Sequence, residues 1–141
     1  MNNSGKYERT EECPFKVLLV EDETHIRTVI EYNLRRDGFE VFEAEDGIDA
    51  VRLVQEIKPD LVLLDWMMPD RSGLEILAEL KRSAGTKHIP IVMLTARGDE
   101  SDIQRAGEVG AAAYITKPFA PRKLSPIIRK VLQEHMQTAG T

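Results

Sequence analysis

Short apolar runs alternate with amphipathic stretches along most of this chain. The runs KVLLV, LVLL and IVML, at 16–20, 61–64 and 91–94, predict buried strands. Weaker strands are predicted at 40–43 and 113–116. Between the strands apolar residues recur every three or four positions, which predicts helices. These helices cover 24–36, 47–57, 73–82, 99–109 and 121–136, and the first carries an apolar stripe of Ile26, Val29, Ile30 and Leu34.

Five strands that alternate with five helices predict a single α/β domain. Right-handed crossovers between such strands produce a parallel sheet with helices on both faces. The run LVLL is apolar at every position, which is typical of a central strand that is covered on both sides. We expect the domain to span residues 15–137, between a flexible tail at 1–14 and a short tail at 138–141.

The last two helices carry irregular features. Three glycines lie in or near the helix at 99–109, which has only Ile103 and Val109 as large apolar residues, so it should be the most mobile helix. Pro126 lies inside the run at 121–136, where a proline removes a backbone hydrogen bond. We therefore expect a short turn at 121–124 before the main helix, with Ser125 as its cap.

Composition and charge exclude several classes of protein. The chain has 141 residues, 42% apolar and 30% charged, with a net charge of −5, which argues against non-specific binding to nucleic acid or anionic membranes. The sequence has no apolar segment long enough to span a bilayer and no signal peptide. The single Cys13 excludes an internal disulfide and is compatible with the cytoplasm, where we expect the protein to be.

Acidic, hydroxyl and ammonium side chains follow the predicted strands. Glu21 and Asp22 come after the first strand, Asp65 after the third, Thr95 after the fourth and Lys117 after the fifth. The carboxyl ends of parallel strands reach one edge of the sheet, so these side chains should converge. Three acids held close together repel one another unless a cation lies among them. The set predicts a site for a metal ion and a small, doubly charged anion such as a phosphoryl group.

Asp65 is the predicted nucleophile because a carboxylate is costly at the end of so buried a strand. Mg²⁺ prefers a few oxygen ligands and retains several waters. Asp22 and Asp65 are therefore predicted to bind it directly, with the Met67 backbone carbonyl as a third protein ligand and Glu21 acting through water. A purely structural alternative is that the acids after the first strand interact with the dipole of the following helix.

The other two residues have predicted roles toward the phosphoryl group. Thr95 would donate its hydroxyl to a phosphoryl oxygen, and Ala96 keeps the entrance small. Lys117 would pair with Asp65 and then with the phosphoryl group. The following Pro118 favours a constrained, cis-capable turn that fixes where the lysine points. The structural alternatives are a strand-end threonine and a solvated lysine.

The motifs VLLVED, LLDWMMPDRSG, IVMLTA and GAAAYITKPF together resemble the response regulator receiver domain, over about residues 15–135. The resemblance implies a doubly wound, flavodoxin-like (CheY-like) fold with strand order 2-1-3-4-5. It implies Mg²⁺-dependent phosphoryl transfer to Asp65 from a histidine kinase or phosphotransfer protein, and a downstream protein effector. It also implies that Thr95 and Tyr114 rearrange on phosphorylation. The protein would then be a switch that catalyses only its own phosphorylation and dephosphorylation.

The stretches DWMMP and YITKPF are most similar to receivers of winged-helix transcription factors. Those receivers usually carry an Asp pair before the switch tyrosine and an Arg in the last helix; this chain has Ala112, Ala113 and Ile127. We therefore expect a largely monomeric protein that contacts no nucleic acid or membrane, although activation could still produce a dimer.

Two other functions compete with the phosphorylated switch. A small aspartyl-phosphate phosphatase would need a second Asp two residues after the nucleophile, where this chain has Met67. A pseudo-receiver that only binds partners would be expected to lack one of the acids, the threonine or the lysine, and all are present.

Overall fold

The structure is a computed structural model that describes residues 14–96 and 100–139. Its strands are β1 (Lys16–Val20), β2 (Glu40–Ala44), β3 (Leu61–Asp65), β4 (Ile91–Thr95) and β5 (Ala113–Thr116). Its α-helices are α1 (Thr24–Arg36), α2 (Gly47–Ile57), α3 (Gly73–Arg82), α4 (Glu100–Val109) and α5 (Leu124–Ala139). A 3₁₀ turn, Pro121–Lys123, precedes α5. The predicted tail at 1–14 lies almost entirely outside the described residues.

The five strands form one parallel sheet in the order β2-β1-β3-β4-β5, as predicted. Strands β3 and β4 each run one residue further than the apolar pattern indicated. Asp65 and Thr95 are therefore the last residues of their strands and not the first residues of loops. The backbones of both residues are consequently held by the hydrogen bonds of the sheet.

Successive residues of each central strand pack on opposite faces, and each face has its own apolar core. One core joins Leu19, Leu63 and Leu94 to α1 and α5. The other joins Leu18, Leu64 and Met93 to α2, α3 and α4. Each fully buried Leu stabilises the fold by roughly 1.5–3 kcal/mol. The two cores hold the strands in fixed register, so the carboxyl ends of the strands form a stable platform.

The inward face of α1 differs from the predicted stripe. Its buried residues are Arg27, Ile30, Asn33 and Leu34. Val29, which we expected to face the core, is 44% exposed. The positions 27, 30 and 34 also follow helical spacing, and the polar contacts of Arg27 compensate its burial, so the stripe includes a charged residue that an apolar pattern overlooks.

The predicted irregular start of the last helix is confirmed, but its details differ. The α-helix begins at Leu124, directly after the 3₁₀ turn, so Ser125 lies in its first turn and is not its cap. The Ser125 hydroxyl instead donates a hydrogen bond to Asp37 Oδ2 at 2.6 Å. Asp37 and Gly38 end α1 as predicted, and this hydrogen bond joins that end to α5.

Only Ala106 is buried among the residues of α4, whereas α3 buries four residues. The described part of α4 begins at Glu100, and the predicted first residue, Asp99, lies outside the described residues. Ser72 caps α3 as predicted, in a reciprocal pair of hydrogen bonds with Glu75. None of the described helices is long and apolar enough to cross a membrane.

Candidate functional site

The acidic cluster consists of Glu21, Asp22 and Asp65, at the carboxyl ends of β1 and β3. One carboxylate oxygen from each of the three residues lies within 4.8 Å of the other two. Glu21 and Asp65 are 1% and 4% exposed, while Asp22 is exposed. Hard divalent cations take oxygen ligands of this kind and retain waters on their open side. The cluster therefore has the ligand chemistry of a divalent-cation site in which protein oxygens supply some of the ligands and water supplies the others.

Lys117 lies between the two buried carboxylates of the acidic cluster. Its Nζ donates to Asp65 Oδ2 and to Glu21 Oε1, each at 3.1 Å. The Lys117 backbone N–H donates to the Thr95 carbonyl at 2.7 Å, and the peptide bond to Pro118 is cis, the isomer that the sequence suggested. Two buried charges of one sign are thus paired with a single ammonium group.

The electrostatics of the cluster leave one of its acids easily protonated. Burial and, after it, the nearby charge of Asp65 raise the pKa of Glu21 to about 7, although the Glu23 N–H and Lys117 act to lower it. Burial acts to lower the pKa of Lys117, but attraction to Asp65 and Glu21 outweighs it, so that pKa is raised overall. The lysine is therefore a fixed cation, while Glu21 titrates near neutral pH.

Three other predicted site residues lie on strands of the sheet or shortly after them. Thr95 is 2% exposed and ends β4, beside the strand that carries Asp65. The Met67 backbone N–H donates to Asp65 Oδ1 at 3.2 Å, while the Met67 side chain is 59% exposed. Tyr114, on β5, is 49% exposed and points away from the core.

Two residues that sequence analysis missed, Asp70 and Gly73, determine how the chain between β3 and α3 packs next to Asp65. A Cβ at Gly73 would lie 2.4 Å from the Asp65 carbonyl oxygen and 2.8 Å from the Trp66 Cα. The Asp70 carboxylate accepts the N–H groups of Gly47 at 2.8 Å and Ile48 at 3.1 Å, which ties this segment to the start of α2. The motif PDRSG contains both residues, but turn chemistry alone would have explained them.

An apolar cavity of about 500 Å³ opens beside the cluster, between α1 and the segment after β5. Val29 and Phe119 are among its apolar lining residues, and Lys117 and Ala96 also line it. A partner side chain in this cavity would therefore lie next to the cluster. The exposure of Val29 makes it part of this wall.

The fold and the site together match a known family. The profile of the family described as "Response regulator receiver domain" matches residues 17–129. The chain therefore belongs to the response regulator receiver domain family, which acts in two-component signalling.

The curated relatives include the phosphate regulon transcriptional regulatory protein PhoB of Klebsiella pneumoniae. It is 50% identical over 118 residues, which cover 84% of this chain and 52% of PhoB, so this chain spans about half the length of that relative. Among solved structures, the chemotaxis protein CheY4 of Vibrio cholerae superposes with a TM-score of 0.80 at 32% identity, covering 84% of this chain and 99% of that one. A CheY-like receiver domain protein of Methanospirillum hungatei gives 0.82 at 26% identity, covering 89% and 98%.

Proposed function

We propose that this protein is a phosphorylation-controlled switch that accepts a phosphoryl group on Asp65 from a phosphohistidine of a histidine kinase or phosphotransfer protein. The observation that carries the proposal is the convergence of three carboxylates, two of them paired with one lysine, at the end of the central strands. Structural ion pairs do not require three acids within 4.8 Å of one another, because like charges so close together are unfavourable without a cation.

In the proposed transfer, an Asp65 carboxylate oxygen attacks the phosphorus as the bond between phosphorus and the donor imidazole nitrogen breaks. The imidazole leaves as the neutral base after taking up a proton, and an acyl phosphate forms on Asp65. The Met67 N–H holds Asp65 Oδ1 at 3.2 Å and Lys117 holds Oδ2 at 3.1 Å, so the carboxylate is oriented before the donor arrives. Thr95 would donate its hydroxyl to the transferred group.

Asp22 and Asp65 are the proposed direct ligands of Mg²⁺, with the Met67 carbonyl as a third and Glu21 acting through water. Bound Mg²⁺ neutralises charge that builds up on the transferred group, a contribution general to phosphoryl transfer. The donor set consists of oxygen atoms, with one exposed carboxylate toward solvent, which suits a cation that keeps several waters. The role of Lys117 is to balance the charge of the acyl phosphate once it has formed.

The test is phosphorylation by acetyl phosphate with Mg²⁺, followed by intact mass measurement. We expect one alkali-labile phosphoryl adduct on the wild type, none on Asp65→Asn and none when the metal is chelated. Asp49→Asn is the matched control, because Asp49 lies on α2, pairs with Arg52 at 2.9 Å and is not a member of the acidic cluster. A stable acyl phosphate on Asp65→Asn would show that the acceptor has been assigned wrongly.

The competing functions are less well supported by the site. The phosphatase would need an ionisable group where the exposed, uncharged Met67 side chain lies. The pseudo-receiver would leave unexplained why two buried carboxylates that share one lysine lie so close to a third acid. Neither alternative is favoured by a specific contact among the described residues.

We also propose that phosphorylation is transmitted through Thr95 to Tyr114. Movement of Thr95 toward the phosphoryl group would open space behind β4, and the half-exposed Tyr114 ring could bury itself there. Burial of the ring should be measurable as slower iodination of Tyr114 in the beryllofluoride-activated protein. An unchanged rate would leave the switch without this residue.

The partner of the activated protein is proposed to be another protein and not a second copy of this chain. Ala112 is exposed without charge, and Ile127 packs against the core instead of presenting an arginine. Charges of that kind chiefly determine which partner is accepted. Sedimentation of the beryllofluoride-activated form should show a monomer. A tight dimer that single charge reversals at Asp102 or Arg129 abolish would refute this part of the proposal.

A further inference from the structure

Arg27 is a buried cation beside the acidic cluster to which the phosphoryl-transfer scheme assigns no role. It is about 9% exposed and lies among the inward-facing residues of α1. A buried guanidinium group is unfavourable unless its donors are satisfied. Its contacts therefore indicate what the residue does.

The Arg27 guanidinium joins the β1–α1 turn to the end of β2. Its Nη1 donates to the Glu21 carbonyl oxygen at 2.7 Å. Its Nε lies 3.3 Å from Glu43 Oε1 and its Nη2 lies 3.8 Å from Glu45 Oε2. One carboxylate on β2 and one just after it thus orient the planar group that holds the Glu21 carbonyl.

The Glu21 residue is consequently held at every polar group. Its backbone N–H donates to the Ala44 carbonyl at 3.1 Å, and its side-chain Oε2 accepts the Glu23 N–H at 3.1 Å. Arg27 supplies the bond to the remaining group, the carbonyl. That carbonyl belongs to the peptide unit that leads into Asp22, so its orientation determines where the exposed Asp22 carboxylate starts.

We propose that Arg27 is a positioning residue for divalent-cation binding: it fixes the Glu21–Asp22 peptide and thereby the distance of the Asp22 carboxylate from Asp65. This inference rests on the proposed function, in which these acids bind Mg²⁺. Groups that orient metal ligands without touching the metal commonly change affinity by 10–100-fold when they are removed.

When Arg27 is replaced, the loss of its positive charge and the loss of its hydrogen bonds should change Mg²⁺ affinity in opposite directions. A nearby guanidinium repels a divalent cation, so removal of charge alone should tighten Mg²⁺ binding. Loss of the bond to the Glu21 carbonyl should instead weaken it, because the turn can then move toward water. The sign of the change therefore separates a positioning role from a purely electrostatic one.

The experiment measures Mg²⁺ affinity by isothermal titration calorimetry for the wild type, Arg27→Met, Arg27→Lys and Arg35→Met. Arg35 is the matched control because it also joins α1 to β2: its Nη2 donates to the Val41 carbonyl at 2.9 Å and pairs with Glu31 at 2.8 Å, remote from the cluster. Thermal unfolding of each variant identifies a temperature at which all four proteins are folded, and the titrations are run at that temperature.

We expect Arg27→Met to weaken Mg²⁺ binding by about tenfold or more. Arg27→Lys, which keeps the charge but cannot make three directed contacts, should also weaken it, by a smaller factor. Arg35→Met should change it by less than about twofold, as for a surface substitution. If Arg27→Met does not fold, Arg27→Lys decides the question alone.

Unchanged or tighter Mg²⁺ binding by the Arg27 variants, with normal binding by the wild type, would overturn the role of Arg27 and leave the proposed function intact. Equal weakening in Arg35→Met would also overturn it, because the effect would then follow from a looser α1 alone. A wild type that binds no Mg²⁺ would refute both proposals.

Discussion

Glu21 should make the metal-free protein less stable as pH rises through neutrality. Burial, aided by the charge of Asp65, raises its pKa from 4.5 to about 7. In the unfolded chain the same carboxyl group loses its proton near 4.5. Between these two values the folded state holds more protons than the unfolded state, so the free energy of unfolding falls with increasing pH.

The interval between the two pKa values sets the size of the effect. At roughly 1.4 kcal/mol for each unit of pKa, it corresponds to about 3.5 kcal/mol. The stabilisation from protonated Glu21 is complete below pH 4.5 and is lost as pH rises through about 7. Such a loss is a large fraction of the 5–15 kcal/mol that is typical of a domain.

The assay is urea unfolding in the presence of a chelator at several pH values from 5 to 8, for the wild type and for Glu21→Gln. The amide is neutral throughout, so the stability advantage of Glu21→Gln over the wild type should grow by about 2.5 kcal/mol from pH 5 to pH 8. His135 acts in the opposite direction, because burial lowers its pKa and its contribution is lost as pH falls below 6.5, but both proteins share it.

Saturating Mg²⁺ should remove most of the difference, since a bound cation favours the ionised carboxylate. Mg²⁺ affinity should correspondingly decrease as pH falls below 7. Parallel stability curves for the two proteins in chelator would contradict the reasoning, because they would mean that Glu21 is already ionised at pH 5.

Four further predictions concern neighbouring residues. Gly73→Ala should lower the free energy of unfolding in urea by at least about 2 kcal/mol, because the added Cβ meets the Asp65 backbone. Gly107→Ala, with open space around the added Cβ, should raise it by about 0.5–1 kcal/mol. Equal effects of the two substitutions would refute the close approach at Gly73. Asp70→Ala should cost about 1 kcal/mol by the same method, by removing two bonds to the start of α2. Trp66 emission should change when Mg²⁺ binds, and a flat titration of a protein that calorimetry shows to bind would remove it as a probe. Amide exchange should be faster in α4 than in α1 or α3, and slower exchange there would contradict the weak anchoring of α4.

The fold could be predicted from the sequence because local and long-range patterns agree. Strands such as Leu61–Asp65 are apolar on both faces, and only a sheet covered on both sides buries them fully. Strand ends were less predictable: Asp65 and Thr95 continue their strands because neighbouring backbones pair with them, and hydropathy carries no information about such pairing.

The acids, the lysine and the threonine of the site could be predicted because topology brings strand ends together. Their supporting residues could not. Arg27 resembles any helix-surface arginine until its carbonyl and carboxylate partners are known, and these come from two other segments. Asp70 resembles a turn acid, although its carboxylate oxygens accept hydrogen bonds from N–H groups 22 and 23 residues away. Both sets of contacts reach other segments of the fold, for which spacing along the chain gives no signal.

The charge of the site explains why metal binding and phosphorylation would be linked. Three carboxylates and one ammonium group, all ionised, have a net charge of −2, which one divalent cation would neutralise. Without a cation, protonation of Glu21 near pH 7 relieves part of this excess. An acyl phosphate on Asp65 would replace one negative charge by about two, and the added charge would fall on the side where Lys117 already lies 3.1 Å from Oδ2. Lys117 would then be drawn from its shared position toward the phosphoryl group. The Lys117 backbone N–H donates to the Thr95 carbonyl, so this shift would act on the same strand end that a phosphoryl oxygen would attract through the Thr95 hydroxyl.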